Sequence, residues 1–369
     1  MEHLSEVVKI LDAALMHNTE KAASYANLLA SKLDEDRQPR QARAIRSVLA
    51  KLPSPVVGTS QYRPRPPQDS ENAFSTVDYT PVEELDQTQL VLHRYVEDRL
   101  LDFLESVRLH DDLRAQGVST SNRLLLYGPP GTGKTSLANH IAHTLKLPLV
   151  VSRSDSLVSS LLGQTSRNIR NIFEYASGMP CVLFLDEFDA LAKDRKDSRE
   201  IGELQRVVIA LLQNIDSLSP STVLIGATNH PQLLDPAVWR RFDHTLKLAL
   251  PGESERVQIW GSNLQHLNVP DASLEALAEL SEGMSGAAIK TSANDIRRLA
   301  LRDPHIANSL PRMLQRVARI LWFDTYERFD SQAAEISALR TWAPKIFTVR
   351  ALQDLFGVSS RQVTKAIKD

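Results

Sequence analysis

The segment GPPGTGKT, from Gly128 to Thr135, packs three glycines, a lysine and two threonines into eight residues. Glycine tolerates backbone that other residues avoid, so such a loop can curl its N–H groups around an anion. It follows the apolar run RLLLY (123–127) and opens the helix-like TSLANHIAHTL. In that strand–loop–helix context the helix N-terminus adds partial positive charge, and the pattern is that of a phosphate-binding loop. Lys134 is expected to reach the β- and γ-phosphates of a nucleoside triphosphate, and Thr135 to offer its hydroxyl to Mg2+. Gly128, Pro129, Pro130, Gly131, Thr132, Gly133 and Ser136 complete the expected cradle.

Two further stretches carry matching chemistry. In CVLFLDEFDA, Asp186 and Glu187 stand at the carboxyl end of an apolar run, where open α/β sheets bind ligands. Asp186 suits water-mediated Mg2+ coordination, and Glu187 suits activation of a water beside the γ-phosphate. Asp189 reads as a cap or brace of the turn. In TVLIGATNH, Asn229 follows a strand by a few residues and is placed to orient the attacking water. Together these predict hydrolysis of ATP. His140 and His143 share a helix face but lack a third ligand nearby, and read as surface or packing residues rather than a metal site.

The elements that must position these side chains are legible from periodicity. Five runs, 123–127, 147–152, 181–186, 222–228 and 244–250, are nearly continuously apolar and separated by helix-length segments, as expected for parallel strands buried on both faces. The fold class is α/β, with a parallel sheet of P-loop NTPase type. After Pro251-Gly252 the strands stop and helical patterns continue. Before the sheet, three helical patterns are expected to form a docking module. One runs through Leu4, Val7, Val8, Leu11, Ala14 and Leu15, one through Ala22, Ala26, Leu29 and Leu33, and one begins at Pro39. The intervening PSPVVGTSQYRPRPPQDSEN lacks apolar periodicity and reads as a linker. The expected domains are 1–52 (helical docking), 53–76 (linker), 77–250 (ATPase), 251–330 (helical lid) and 331–369 (helical extension).

Composition narrows the class. The 369 residues carry a net charge of −2, which gives no reason to expect a nucleic-acid coat or a polybasic membrane patch. The single cysteine, Cys181, excludes an internal disulfide framework and a multi-cysteine zinc cluster. No apolar run approaches the length of a membrane span, and MEHLSEVVKI lacks a signal-peptide core. The expectation is a soluble, cytoplasmic protein with no membrane partner.

Over roughly Val77 to Ala300 the chain resembles the AAA family of ATPases. GPPGTGKT resembles its Walker A motif, LFLDEFDAL its Walker B, and ATNHPQLLDPAVWRRFD its second region of homology, with Asn229 at the first sensor position. The resemblance implies an AAA large subdomain with a helical lid, ATP and Mg2+ as ligands, and a ring of identical subunits, most often a hexamer. It also implies that Arg240 or Arg241 projects into a neighbour's site. A guanidinium there can neutralise charge on the γ-phosphoryl oxygens. The family commonly spaces these arginines by a Pro-Gly insert, whereas here they are adjacent in WRRFD; Arg241, directly before Phe242-Asp243, is favoured. GMSGAAIK (283–290) resembles the lid segment, with no second-sensor arginine, and Gly286 and Ala287 are expected to allow close approach.

Function divides at two places. In the family, a loop like SSLLGQT (159–165) carries a pore aromatic; Leu161 takes that position here, followed by Leu162 and Gly163. Leucine offers an apolar grip without a flat face, so threading of a polypeptide is weakened as an inference. The charged AKDRKDSREIGELQR reads equally as a second pore loop or a solvated turn. At the other end, TVRALQDLFGVSSRQVTKAIKD has the cadence of a helix-turn-helix, with Ser360, Arg361, Gln362 and Lys365 facing a DNA groove. The bland alternative is a helical pair packed on the lid or a neighbour. The primary reading is an ATP-driven ring that remodels or unfolds a partner protein held by residues 1–52. The alternative is an ATP-switched regulator binding DNA through 347–367, and a third is an assembly scaffold set by ATP.

Overall fold

The computed structural model describes residues 3–15, 19–36, 38–49, 66–67, 75–86, 90–118, 121–153, 162–189, 201–303, 306, 309–322 and 331–368. They fall into two compact units. One is drawn from Met1–Leu90, Asp98–Gly128 and Lys134–Lys247; the other from Val91–Glu97, Pro129–Gly133 and Leu248–Asp369.

The first unit opens with helices α1 (Leu4–Leu15), α2 (Thr19–Glu35) and α3 (Pro39–Leu49). Leu29, Ala30, Leu33 and Ala42 form their small core, with Val7, Ile10 and Ile45 packed against it. Of the apolar face expected of α1, Val7 packs, whereas Val8, Leu11, Ala14 and Leu15 do not. Ala13 is buried, while Val8, Leu11 and Leu15 are 53%, 57% and 79% exposed. The physical reason lies in Glu6, which is buried and accepts a 2.5 Å hydrogen bond from Lys32 Nζ of α2. Burial works to raise the Glu6 carboxyl, but Lys32, a backbone hydrogen bond and Lys9 together outweigh it and hold the group below the usual carboxylate range. That pair turns α1 so that a second apolar stripe faces outward.

The central sheet comprises β1 (Val77–Thr80), β2 (Arg123–Tyr127), β3 (Leu149–Ser152), β4 (Cys181–Leu185), β5 (Thr222–Thr228) and β6 (His244–Lys247), in the order β1-β3-β4-β5-β2-β6. All neighbours are parallel except β1, which pairs antiparallel with β3 at one edge. The five expected runs are thus the five parallel strands. β1 escaped because VDYT is four residues long and only Val77 in it is buried. Every residue of β4 and β5 is buried, which explains their unbroken apolar composition. In chain order the helices here are α4 (Arg94–Arg108, shared with the second unit), α5 (His110–Ala115), α6 (Lys134–Leu145), α7 (Leu162–Ser177), α8 (Ile201–Asp216) and α9 (Pro236–Trp239). Leu137, Ala138, Ile141 and Ala142 form the buried stripe of α6.

The second unit holds α10 (Glu253–Leu264), α11 (Asp271–Leu280), α12 (Gly286–Ala300), α13 (Leu310–Leu321), α14 (Gln332–Trp342), α15 (Val349–Phe356) and α16 (Ser360–Lys368). Trp260, Ile289, Met313 and Val317 share one core with Leu339, Phe347, Leu352 and Val363, so the helices after 331 pack in common with those before it. Trp260 Nε1 donates to Ser281 Oγ at 3.0 Å, satisfying the one polar atom of a fully buried indole. Thr348 caps α15 by accepting from Ala351 N, and Gly357 ends it with φ +67° in the left-handed region. The break between α15 and α16 thus falls at Gly357.

A shared core predicts shared loss. Phe347→Ala should cost about 3–5 kcal/mol. Hydrogen exchange should then quicken in α10–α13 together with α14–α16, whereas independent packing would confine the change to α14–α16.

Candidate nucleotide site

The parallel register brings the functional residues level. β4 pairs with β5 so that Leu185 lies opposite Gly226, and β2 pairs with β5 so that Tyr127 lies opposite Thr228. The residues just past each strand, Gly128, Asp186-Glu187 and Asn229, consequently emerge together at the carboxyl edge of the sheet. Gly128, Gly131 and Gly133 all have positive φ (+150°, +74° and +95°), the backbone that turns successive N–H groups inward. Pro129, Pro130 and Thr132 lie between them, with the Thr132 hydroxyl donating to Pro129 O at 2.9 Å.

Lys134 heads α6, is 7% exposed, and donates from Nζ to Gly128 O at 2.9 Å. Burial pushes its ammonium below the ordinary lysine range, and Asp186 and Asp189 oppose that shift. A desolvated cation flanked by orphan helix N–H groups is arranged for a polyanion. Thr135 Oγ1 donates to Asp186 Oδ2 at 3.1 Å, and Asp186 Oδ1 accepts from Glu187 N at 2.9 Å. The hydroxyl and carboxylate expected to hold Mg2+ thus converge. Among the described residues there is no cluster of three His, Cys, Asp or Glu able to hold a metal unaided. A hard cation held by one hydroxyl, one carboxylate, waters and phosphate oxygens is the usual Mg2+ arrangement, and this donor set fits it. Ser136 follows Thr135, exposed on the first turn of α6.

Glu187 is exposed and adopts φ +50°, an uncommon conformation for a residue with a side chain. Its neighbour Phe188 is anchored by N–H donation to Ala227 O at 2.8 Å. Asp189 braces the adjoining strand, accepting from Thr228 Oγ1 at 2.7 Å, while that hydroxyl accepts from His230 N at 2.9 Å. Asn229 Oδ1 is buried with no hydrogen-bond partner. An orphaned acceptor costs about 1–3 kcal/mol, and a water donating to it would remove that cost.

The adjacent arginines are not part of this cluster and differ from each other. Arg241 forks onto Asp216 at the end of α8: Nε to Oδ1 at 3.3 Å and Nη2 to Oδ2 at 3.2 Å, with Nη1 donating to Ala237 O at 3.3 Å. Arg240 is exposed and has no partner among the described residues. Phe242 wedges against β5: its ring meets Phe188 edge-on at 5.6 Å, and a Cβ added at Gly226 would stand 3.2 Å from it. Sequence reasoning missed Asp216 and Arg123, whose contacts with Arg241 join residues far apart in the chain and leave no local pattern.

In the second unit, Ala287 N donates to Gly131 O at 3.1 Å, and Ser285 caps α12 by accepting from Ala288 N. The close approach expected of Gly286 and Ala287 is therefore to the phosphate loop's own backbone. Leu161 lies outside the described residues, as do most of the linker and the charged stretch after Asp189. Leu162 and Gly163 form the first turn of α7 rather than loop. Glycine's poor helix propensity costs less there, where the N–H groups have no intrahelical partner.

Fold and site define a P-loop nucleotide-binding protein. Residues 124–250 match the model of the AAA family, the ATPase family associated with various cellular activities. Over 147 residues the chain is 50% identical to an uncharacterized AAA family ATPase, y4kL, of Sinorhizobium fredii, covering 40% of this chain and 44% of that protein. It is 35% identical over 194 residues to a proteasome-activating nucleotidase of Methanococcus vannielii (51% and 48% covered). It is 31% identical over 250 residues to one of Thermococcus onnurineus (65% and 62%). The chain spans about half the length of the curated relatives it matches. No helix among the described residues is long and apolar enough to cross a membrane.

Gly131 tests the loop. With φ +74°, its added Cβ would stand 2.6 Å from Ser285 Oγ and 3.0 Å from Ala287 Cβ. Gly131→Ala should weaken binding of a fluorescent ATP analogue at least tenfold, and Ser285→Gly in addition should recover only the steric part of that loss.

Proposed function

We propose that the chain hydrolyses ATP with Mg2+ as a ring, most often hexameric in this family, and uses the cycle to remodel or unfold a partner protein. The observation that carries this reading is the convergence of Lys134, Thr135, Asp186, Glu187 and the orphaned Asn229 at one edge of the sheet. Lys134 and the loop N–H groups hold the triphosphate; Asn229 Oδ1 accepts one hydrogen of the attacking water. As that water's oxygen bonds to the γ-phosphorus and the bond to the bridging oxygen breaks, Glu187 takes the water's other proton. Mg2+, held through Thr135 and Asp186, would neutralise charge on the phosphate oxygens. An arginine from a neighbouring copy completes the site.

The partner reading draws on two supports. Relatives over half of the chain are named proteasome-activating nucleotidases. The outward stripe Val8, Leu11 and Leu15 of α1 offers residues 1–52 an unused apolar face. For the DNA alternative, α16 does expose Arg361 and Lys365, but Val363 and Ala366 bury its other face in the helical core. That favours the packed helical pair.

Glu187→Gln should bind ATP and assemble, seen as particle mass by light scattering with ATP and Mg2+, while turnover falls at least a hundredfold. Wild-type turnover per subunit should rise with protein concentration; a dilute monomer running at full rate would falsify the ring. Leu11→Asp with Leu15→Asp should release whatever protein the stalled Glu187→Gln ring holds and, in the otherwise wild-type chain, leave ATP turnover in place. Retention of DNA lost on deleting 331–369 would instead support the regulator.

A further inference from the structure

We infer that Thr228 is a positioning residue for hydrolysis: its hydroxyl, held by Asp189, closes a turn around Asn229 and so fixes where Asn229 Oδ1 meets the attacking water. The inference rests on the ATPase reading above and deepens it.

Thr228 ends β5, fully buried and level with Tyr127 of β2. A hydroxyl has one proton to give and two lone pairs to offer. The proton goes to Asp189 Oδ1 at 2.7 Å, and an ionised acceptor makes that bond one of the stronger kind. With its proton committed, the oxygen has only lone pairs left, and one of them receives His230 N–H at 2.9 Å. A threonine oxygen that accepts from the N–H two residues on closes a small turn, and the residue enclosed here is Asn229. The backbone of Thr228 is engaged as well: its carbonyl accepts from Gly128 N at 3.3 Å, at the start of the phosphate loop. One residue earlier, Ala227 O accepts from Phe188 N at 2.8 Å. Thr228 thus joins the phosphate loop through its carbonyl and the acidic loop through its hydroxyl.

The turn matters because Asn229 has no other hold. Its Oδ1 is buried without a partner, so the direction of the amide is set by the backbone that carries it. A residue just past a strand has lost the ladder that fixes its φ and ψ, and the bond from His230 N–H to Thr228 Oγ1 restores that constraint. Glu187 is referred to the same place. It lies between Asp186 and Phe188 at φ +50°, and the chain beyond it is tied to β5 by Phe188 N–H and by Asp189. The two residues that handle the water, one accepting its hydrogen and one its proton, therefore take their positions from a single hydroxyl–carboxylate couple. Misplacing a reacting group by about 1 Å can cost about a hundredfold in rate, which is the scale on which such a couple acts.

The test measures kcat and the affinity for a fluorescent ATP analogue in full-length variants. Valine keeps the shape of threonine and suits a strand, so Thr228→Val removes the hydroxyl and little else. It should lower kcat about a hundredfold and leave affinity within about threefold. Thr228→Ser, which keeps the hydroxyl, should return kcat to within about fivefold of the wild type. In a chain already slowed by Asn229→Ala, Thr228→Val should cost nothing further, because a residue that acts through Asn229 then has nothing to place. The inference is overturned if Thr228→Val loses the same factor with and without Asn229, or if Thr228→Ser is no better than Thr228→Val. It is equally overturned if affinity falls in step with kcat, the mark of a residue that merely braces Gly128. Should Thr228→Val fail to fold, Asp189→Ala removes the same bond from its other end. Its loss of kcat should likewise vanish without Asn229, any effect on Lys134 showing in affinity instead. A wild-type chain without turnover removes the ATPase reading and this one together. Turnover that Asn229→Ala slows and Thr228→Val does not removes this one alone.

Discussion

The structure depends on the parallel pairing of β5 with both β2 and β4. Parallel hydrogen bonding fixes all strand ends on the same side, and complete burial of β4 and β5 fixes the register, because no residue of either strand is free to turn toward water. The phosphate loop, the acidic pair and Asn229 come from chain segments up to about a hundred residues apart. They meet because those strands cannot slip. Every polar group of the site sits close beyond the last apolar position of its strand, where the core ends and solvent begins.

Within that frame the site is electrically arranged rather than rigidly filled. Lys134 is buried and cationic between its own loop carbonyl and two aspartates, a balance that a triphosphate can join without leaving an unpaired charge. Glu187 sits on strained backbone at the exposed lip, whereas Asp189, two residues on, is spent on Thr228. Three acidic residues in four positions thus hold three different roles because their surroundings differ: one meets a hydroxyl, one meets solvent and one meets a strand.

Much of this was legible in the chain alone. The loop, the acidic pair and Asn229 were readable because each is a short local pattern attached to a strand of unmistakable composition. What escaped was set by contacts distant in sequence. The packed face of α1 depends on Glu6 meeting Lys32 in the next helix, a pairing that apolar periodicity cannot express. The difference between Arg240 and Arg241 depends on Asp216, an aspartate that closes a helix and resembles any other surface acid until the fold delivers Arg241 to it. β1 was too short and too little buried to separate from the irregular chain before it.

Gly226 and Phe242 together carry a consequence for how this chain can change over time. The strand residue has no side chain because the phenyl ring fills its place, and the ring sits where it does because nothing projects from the strand. Neither position can drift alone: a side chain gained at 226 demands a smaller residue at 242, and a smaller residue at 242 leaves a void beside a bare backbone. The two positions should therefore be inherited as a pair.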